Sequence, residues 1–186
     1  MALRFLALAF CAVLLVPGAM AQEEADALAA LRRGEAVALI RHATAPGAGD
    51  PADFRLGDCS TQRNLSEEGR NEARALGERL REAGIAGAQV YSSQWCRCLE
   101  TAGLLGLGEV EPLPILNSFF GDRSRGPSQT EALRRLIAEQ GDGAPRILVT
   151  HQVNIASLTD VFPRSGEVVL VSVERPAQVI GRLPPP

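Results

Sequence analysis

The 186-residue chain has two histidines, and each ends a short apolar run. Ala36-Val37-Ala38-Leu39-Ile40 leads into Arg41-His42, and Ile147-Leu148-Val149-Thr150 leads into His151. A buried strand that delivers a cation and an imidazole at its carboxyl end is how open α/β sheets present chemistry to a ligand. A third run, Ala88-Gln89-Val90-Tyr91, leads into Ser92-Ser93 and, one turn on, Arg97. Helices that follow such strands offer free N–H groups and partial positive charge at their N-termini. Two arginines and two histidines converging there suit a phosphoryl group, because the guanidinium fork binds phosphate in a bidentate way. A neutral imidazole can attack phosphorus and hold the phosphoryl group briefly. Nearby arginines disfavour its protonation and so keep it nucleophilic. A cationic His151 would instead stabilise the transferring oxygens. Two histidines without clustered acids make a poor metal site, so no metal or cofactor is expected.

The elements that must position these residues alternate. A helix over Glu23 to Arg33, with Ala25, Leu28, Ala29 and Leu31 on its apolar side, ends at Gly34. The strand Ala36 to Ile40 follows, then a long irregular stretch from Ala43 to Leu65, a length typical of functional lids or disordered segments. Ser66 caps a helix from Glu67 to Ala83, whose apolar residues Ala73, Leu76, Leu80 and Ala83 keep helical spacing. The strand Ala88 to Tyr91 precedes a helix from about Trp95 to Leu105. A Pro-rich stretch runs from Glu111 to Gly126. Ser128-Gln129-Thr130-Glu131 then reads as a capping box opening a helix to about Gln140. The strand Arg146 to Thr150, a helix from Asn154 to Val161 and two adjacent strands, Glu167 to Val173 and Gln178 to Leu183, complete the chain. Strands alternating with helices imply an α/β fold with a mainly parallel sheet covered on both faces.

The N-terminus carries Arg4, an apolar run from Phe5 to Val16 and Ala19-Met20-Ala21, the pattern of a cleaved signal peptide. The run is too short for a comfortable membrane span. Cleavage after Ala21 leaves residues 22–186 as one domain, periplasmic or secreted, with no membrane span. Losing Arg4 takes the formal net charge from −3 to −4. All 19 basic residues are arginine, and a mildly acidic chain with scattered arginines does not suggest nucleic-acid binding. Export implies an oxidising compartment. Cys59, Cys96 and Cys98 remain after cleavage, so at most one internal disulfide forms: Cys59 with Cys96 or Cys98, Cys96 being favoured.

Four segments together resemble the histidine phosphatase superfamily, the phosphoglycerate mutase-like proteins. Leu39-Ile40-Arg41-His42-Ala43 resembles that family's R-H-G/A signature. Asn64-Leu65-Ser66-Glu67-Glu68-Gly69-Arg70-Asn71-Glu72-Ala73 is similar to its L-[TS]-x-x-G-x-x-[QE]-A helix start. Val90 to Ala102 resembles its S-S-x-x-x-R-x-x-x-T-A segment, and Val149-Thr150-His151 its second histidine strand. The resemblance implies a three-layer α/β/α sandwich, with His42 as the phosphorylated nucleophile and Arg41, Arg97 and His151 holding the phosphoryl group.

The chain departs from that pattern in its proton donor. Where small family members carry a glutamate in an L-x-E segment, this chain reads Ile115-Leu116-Asn117-Ser118-Phe119-Phe120-Gly121-Asp122. Where the larger branch places an acid after the second histidine, Gln152 stands. Asp122 is the nearest candidate donor, with Glu131 or a lid acid such as Asp58 as alternatives. Arg63 and Asn64 fit a substrate contact or a helix-entry turn equally well. Ser92 and Ser93 read as turn and cap residues. Phe119 and Phe120 suit the core better than a substrate mouth, and Glu167 reads as structural. The expected activity is metal-free hydrolysis of a phosphomonoester, from a small molecule or an envelope component, through phosphohistidine on His42. The alternative is a catalytically weak relative that binds phosphorylated envelope ligands. Neither the oligomeric state nor the physiological substrate is written in the sequence.

Overall fold

A computed structural model describes residues 17–139 and 143–186. The leader expected over residues 1–21 therefore falls mostly outside the described residues. The first helix, α1, spans Pro17–Arg32 and buries Ala27, Leu28 and Leu31, while Ala25 faces solvent.

One six-stranded sheet organises the rest. Its strands are β1 (Ala36–Arg41), β2 (Gln89–Ser92), β3 (Val110–Pro112), β4 (Arg146–Thr150), β5 (Val168–Ser172) and β6 (Val179–Leu183). Their order across the sheet is β3-β2-β4-β1-β5-β6. The β1/β4, β2/β4 and β2/β3 pairs are parallel, whereas β5 runs antiparallel to β1 and to β6. The sheet is mainly parallel, as expected, with an antiparallel edge made by the two late strands.

The central strands β1 and β4 carry continuous apolar runs, Ala36 to Ile40 and Ile147 to Val149, because both of their faces are covered. On β1, Ala36, Ala38 and Ile40 join a core with α1, α2 (Glu67–Glu82) and α3 (Cys96–Leu105). Val37 and Leu39 point to the other face and pack with residues of α4 (Gly126–Ala138) and α5 (Gln152–Thr159). Each fully buried leucine or isoleucine there contributes on the order of 2 kcal/mol of apolar burial. This is the three-layer α/β/α arrangement.

Three boundaries differ from the sequence expectation. The strand β3 overlaps the start of the Pro-rich stretch, at the sheet edge where Pro112 needs to donate no ladder hydrogen bond. The capping box at Ser128 does not form. Pro127 sits in the first turn of α4, where its preset φ suits a helix start, and Ser128 Oγ bonds Arg125 O at 3.2 Å. Glu131 instead pairs with Arg134 and Arg135 on the surface. Finally, α5 begins at Gln152, directly after His151.

Candidate active site

The strand order sets β2, β4 and β1 side by side, so their carboxyl ends meet. Register pairs Arg41 with Thr150 and Ser92 with Val149. The backbone pairing continues one residue further: His42 N–H donates to Thr150 O at 3.0 Å and Ser93 N–H to Val149 O at 2.9 Å. His42 and His151 are therefore neighbours, with ring centroids 5.5 Å apart and nearly perpendicular planes.

The chain leaving His42 is clamped by two helices. Ala43 N–H donates to Thr101 Oγ1 at 3.1 Å, and Thr101 in turn donates to Arg97 O at 2.7 Å. Thr44 donates twice to Glu72, from its N–H and its hydroxyl, each at 2.9 Å. Thr44 O accepts from Ser66 N at 3.0 Å, while Ser66 Oγ caps α2 by accepting from Gly69 N at 3.1 Å. Gly69 is required here because a Cβ would stand 2.1 Å from Thr44 O. The Ser66-x-x-Gly69-x-x-Glu72 spacing is thus a clamp on the loop that carries His42. The segment Arg97-x-x-x-Thr101 is its counterpart on α3.

His42 is 3% exposed, and its Nδ1 lies 2.8 Å from Ala43 O. A carbonyl only accepts, so Nδ1 carries the proton and Nε2 keeps its lone pair. Burial pushes the ring's pKa down to about 3, against the Ala43 bond that favours the cation, with Arg97, Arg41 and Arg63 adding to the depression. A neutral ring with a free Nε2 is what nucleophilic attack needs.

His151 is also buried, and its Nε2 lies 2.9 Å from Ser93 Oγ and 3.4 Å from Cys98 Sγ. Ser93 donates its hydroxyl proton to Asn117 Oδ1 at 3.2 Å, which leaves its oxygen to accept from Nε2. Burial lowers the His151 pKa, and His42 and Arg97 lower it further.

Around the pair lies a cavity of about 190 Å³. Arg41, Arg63 and Arg97 line it with both histidines, Asp50 and the loop 47–49. Arg97 is 3% exposed, and Nε of Arg41 and of Arg97 is buried without a hydrogen-bond partner among the described residues. Arg41 is anchored through Nη1 to Pro163 O at 2.9 Å. Arg63 donates to Gly49 O at 2.8 Å and to Ala45 O. Burial, then Arg97, lowers the pKa values of both Arg41 and Arg63. Unsatisfied donors on clustered cations form a seat for an anion.

The structure brings together Arg41, His42, Arg63, Arg97 and His151. It does not bring in the others. Asn64 turns away, donating to Cys59 O at 2.7 Å. Asp122 is exposed and caps its own short turn, accepting from Ser124 Oγ at 2.6 Å. Asp58 faces solvent, where it pairs with Arg55 and Ser60. Phe119 is buried as expected, but Phe120 is 55% exposed at the cavity mouth. Alternate residues of that segment face opposite sides, so one aromatic fills the core and the next borders the cavity.

Sequence reasoning missed Asp50. Its carboxylate binds Arg97 in a bidentate pair, with Oδ1 2.6 Å from Nη1 and Oδ2 3.2 Å from Nη2, and accepts from Trp95 Nε1 at 3.0 Å. Burial alone would raise its pKa, but the bonds from Arg97 and Trp95 outweigh that and lower it. No periodicity marks Asp50; only the Gly47-Ala48-Gly49 run before it signals a tight approach. The disulfide forms between Cys59 and Cys96, with Cα atoms 5.7 Å apart, and ties this loop to the start of α3. Cys98 stays a buried free thiol. No group of three or more His, Cys, Asp or Glu side chains suited to a metal ion occurs among the described residues.

A search of curated protein sequences finds no match. Among solved structures, the SixA protein of Agrobacterium tumefaciens matches with a TM-score of 0.60 at 20% identity, over 82% of this chain and 99% of its own. The protein histidine phosphatase SixA complexed with tungstate gives 0.55 at 20% identity, over 81% and 97%. A mycobacterial glucosyl-3-phosphoglycerate phosphatase complexed with VO3 gives 0.54 at 18% identity, over 80% and 96%. At these identities the likeness is one of fold. Family membership comes from the sequence itself, because residues 37–169 match the model of histidine phosphatase superfamily branch 1. With both histidines inside the matched span, the chain belongs to the histidine phosphatase superfamily, branch 1.

Proposed function

We propose that the protein is an exported phosphatase that hydrolyses phosphomonoesters through a phosphohistidine on His42, without a metal. One observation carries this reading: a neutral imidazole with a free Nε2 faces a cavity whose three arginines include two buried, unpartnered Nε groups. Arg41, Arg63 and Arg97 neutralise the phosphoryl oxygens. His42 Nε2 attacks phosphorus, and the ester oxygen leaves. Charge on the arriving phosphoryl group favours a proton on His151 Nδ1, which then donates to a transferring oxygen. Water attacks the phosphohistidine and releases phosphate.

Structural neighbours that include a protein histidine phosphatase and a glucosyl-3-phosphoglycerate phosphatase support phosphoryl hydrolysis over other chemistries. Export is supported by the N-terminal Arg4, apolar run and Ala-x-Ala pattern, and by the Cys59–Cys96 disulfide. No helix of the described residues is long and apolar enough to cross a membrane.

Hydrolysis of 4-nitrophenyl phosphate by oxidised residues 22–186 in EDTA, beside His42→Ala, tests the proposal. Turnover that disappears in His42→Ala is expected. Tight phosphate binding by a folded chain without turnover would favour the ligand-binding alternative. Equal turnover by both proteins would remove His42 from the mechanism.

A further inference from the structure

We propose that Asp50 is the acid–base residue of this site, releasing Arg97 to the substrate and then serving the leaving oxygen. The inference rests on the phosphatase reading above. Asp50 is the only carboxylate lining the cavity among the described residues. Its side chain retains 19% exposure, so it sits at the boundary between the buried cation cluster and solvent. That is where the leaving group of a bound phosphomonoester must lie, because the phosphoryl oxygens occupy the arginines behind it.

The loop is built to place this one carboxylate. Arg63 holds Ala45 O and Gly49 O, and Gly47 and Gly49 take positive φ. Trp95, stacked on Phe54, presents its indole N–H to Oδ2. The carboxylate occupies the Arg97 fork that a phosphoryl group needs. A substrate dianion therefore displaces it. Losing the cation and gaining a negative neighbour both raise the carboxyl's proton affinity, so it takes up a proton from water as the substrate seats.

The two steps then balance. In the first, the bond from His42 Nε2 to phosphorus forms, the bond from phosphorus to the ester oxygen breaks, and Asp50 gives its proton to that oxygen. In the second, water oxygen attacks phosphorus, the phosphorus–nitrogen bond breaks, and Asp50 takes the water's proton. Phosphate departs, Asp50 loses its proton to solvent and returns to Arg97.

The test compares kcat/KM for 2,4-dinitrophenyl phosphate and phenyl phosphate in wild type, Asp50→Asn and Asp50→Glu, with phosphate inhibition measured alongside. A basic phenoxide needs a proton and dinitrophenoxide does not, and a positioned acid is worth about 10²–10⁴-fold. Asp50→Asn is expected to lose phenyl phosphate activity by about 100-fold or more relative to dinitrophenyl phosphate. It is also expected to bind inorganic phosphate more tightly, and Asp50→Glu to recover part of the phenyl phosphate activity. An equal change on both substrates in Asp50→Asn would overturn the inference, leaving Asp50 as a mere competitor for Arg97. No turnover by the wild type would overturn the phosphatase reading and this inference together.

Discussion

Ser93 Oγ lies 2.9 Å from His151 Nε2 and fixes which nitrogen of that ring is left for a ligand. The two residues end adjacent parallel strands, β2 and β4, so the contact follows from strand order. Ser93→Ala leaves a buried N–H without its oxygen acceptor, a cost of about 1–3 kcal/mol. The expected result is a fall in kcat/KM of about tenfold or more. Unchanged kinetics would mean that Cys98 Sγ, 3.4 Å away, suffices to orient the ring.

Both histidines are held neutral, with His42 pushed down to about 3 from an ordinary value of 6.5. As pH falls below about 6.5, histidines in the unfolded chain take up protons that the folded protein refuses. The neutral rings therefore contribute fully to stability above that pH, and their contribution is lost progressively as pH falls toward 3. Melting temperature measured from pH 7 to pH 4 should drop more steeply in wild type than in the His42→Asn, His151→Asn double variant. Parallel curves would contradict the burial of neutral rings.

Gly69 lets α2 approach the loop behind His42. A Cβ there meets Thr44 O at 2.1 Å, so backbone must move. Gly69→Ala is expected to cost about 1–3 kcal/mol, as overpacking does, and to lower kcat/KM by displacing the His42 loop. Chemical denaturation and steady-state kinetics check the two effects separately. Loss of stability with full activity would break the proposed link between clamp and site.

The Cys59–Cys96 bridge joins the loop bearing Asp50 and Arg63 to the helix bearing Arg97. A Cys59→Ser, Cys96→Ser variant should lose about 3–4 kcal/mol by the chain-entropy argument, together with part of its phosphate affinity. Burial pushes the Cys98 thiol up to about 12, so native protein should resist alkylation until unfolded. Denaturant midpoints and iodoacetamide labelling read these outcomes. Rapid labelling of the native chain would contradict the burial of Cys98.

The sequence showed the ends of β1 and β4 because an apolar run that stops at Arg41-His42 or His151 needs no tertiary context to be read. It showed α2 for the same reason, through helical spacing. What it hid was set across space. Glu72 reads as a solvated helix residue until Thr44, 28 residues earlier, is found on its carboxylate. Asp50 carries no pattern, since Arg63, Trp95 and Arg97 determine its place. Asp122, the donor expected from the sequence, caps its own turn at Ser124 and does not line the cavity, a placement that no local pattern announces. The strand β3 was hidden by its shortness and its proline.

A phosphoryl group carried by His42 is the intermediate on which the proposed reaction depends. Acid–base stability separates a phosphohistidine, labile in acid and stable in alkali, from serine and aspartate esters. Oxidised residues 22–186 would be mixed with a labelled phosphomonoester in EDTA, quenched in alkali within one turnover and mapped by peptide mass. An acid-labile label is expected on the peptide containing His42, absent from His42→Asn. Turnover with the label on another residue, or a label that persists in His42→Asn, would contradict it.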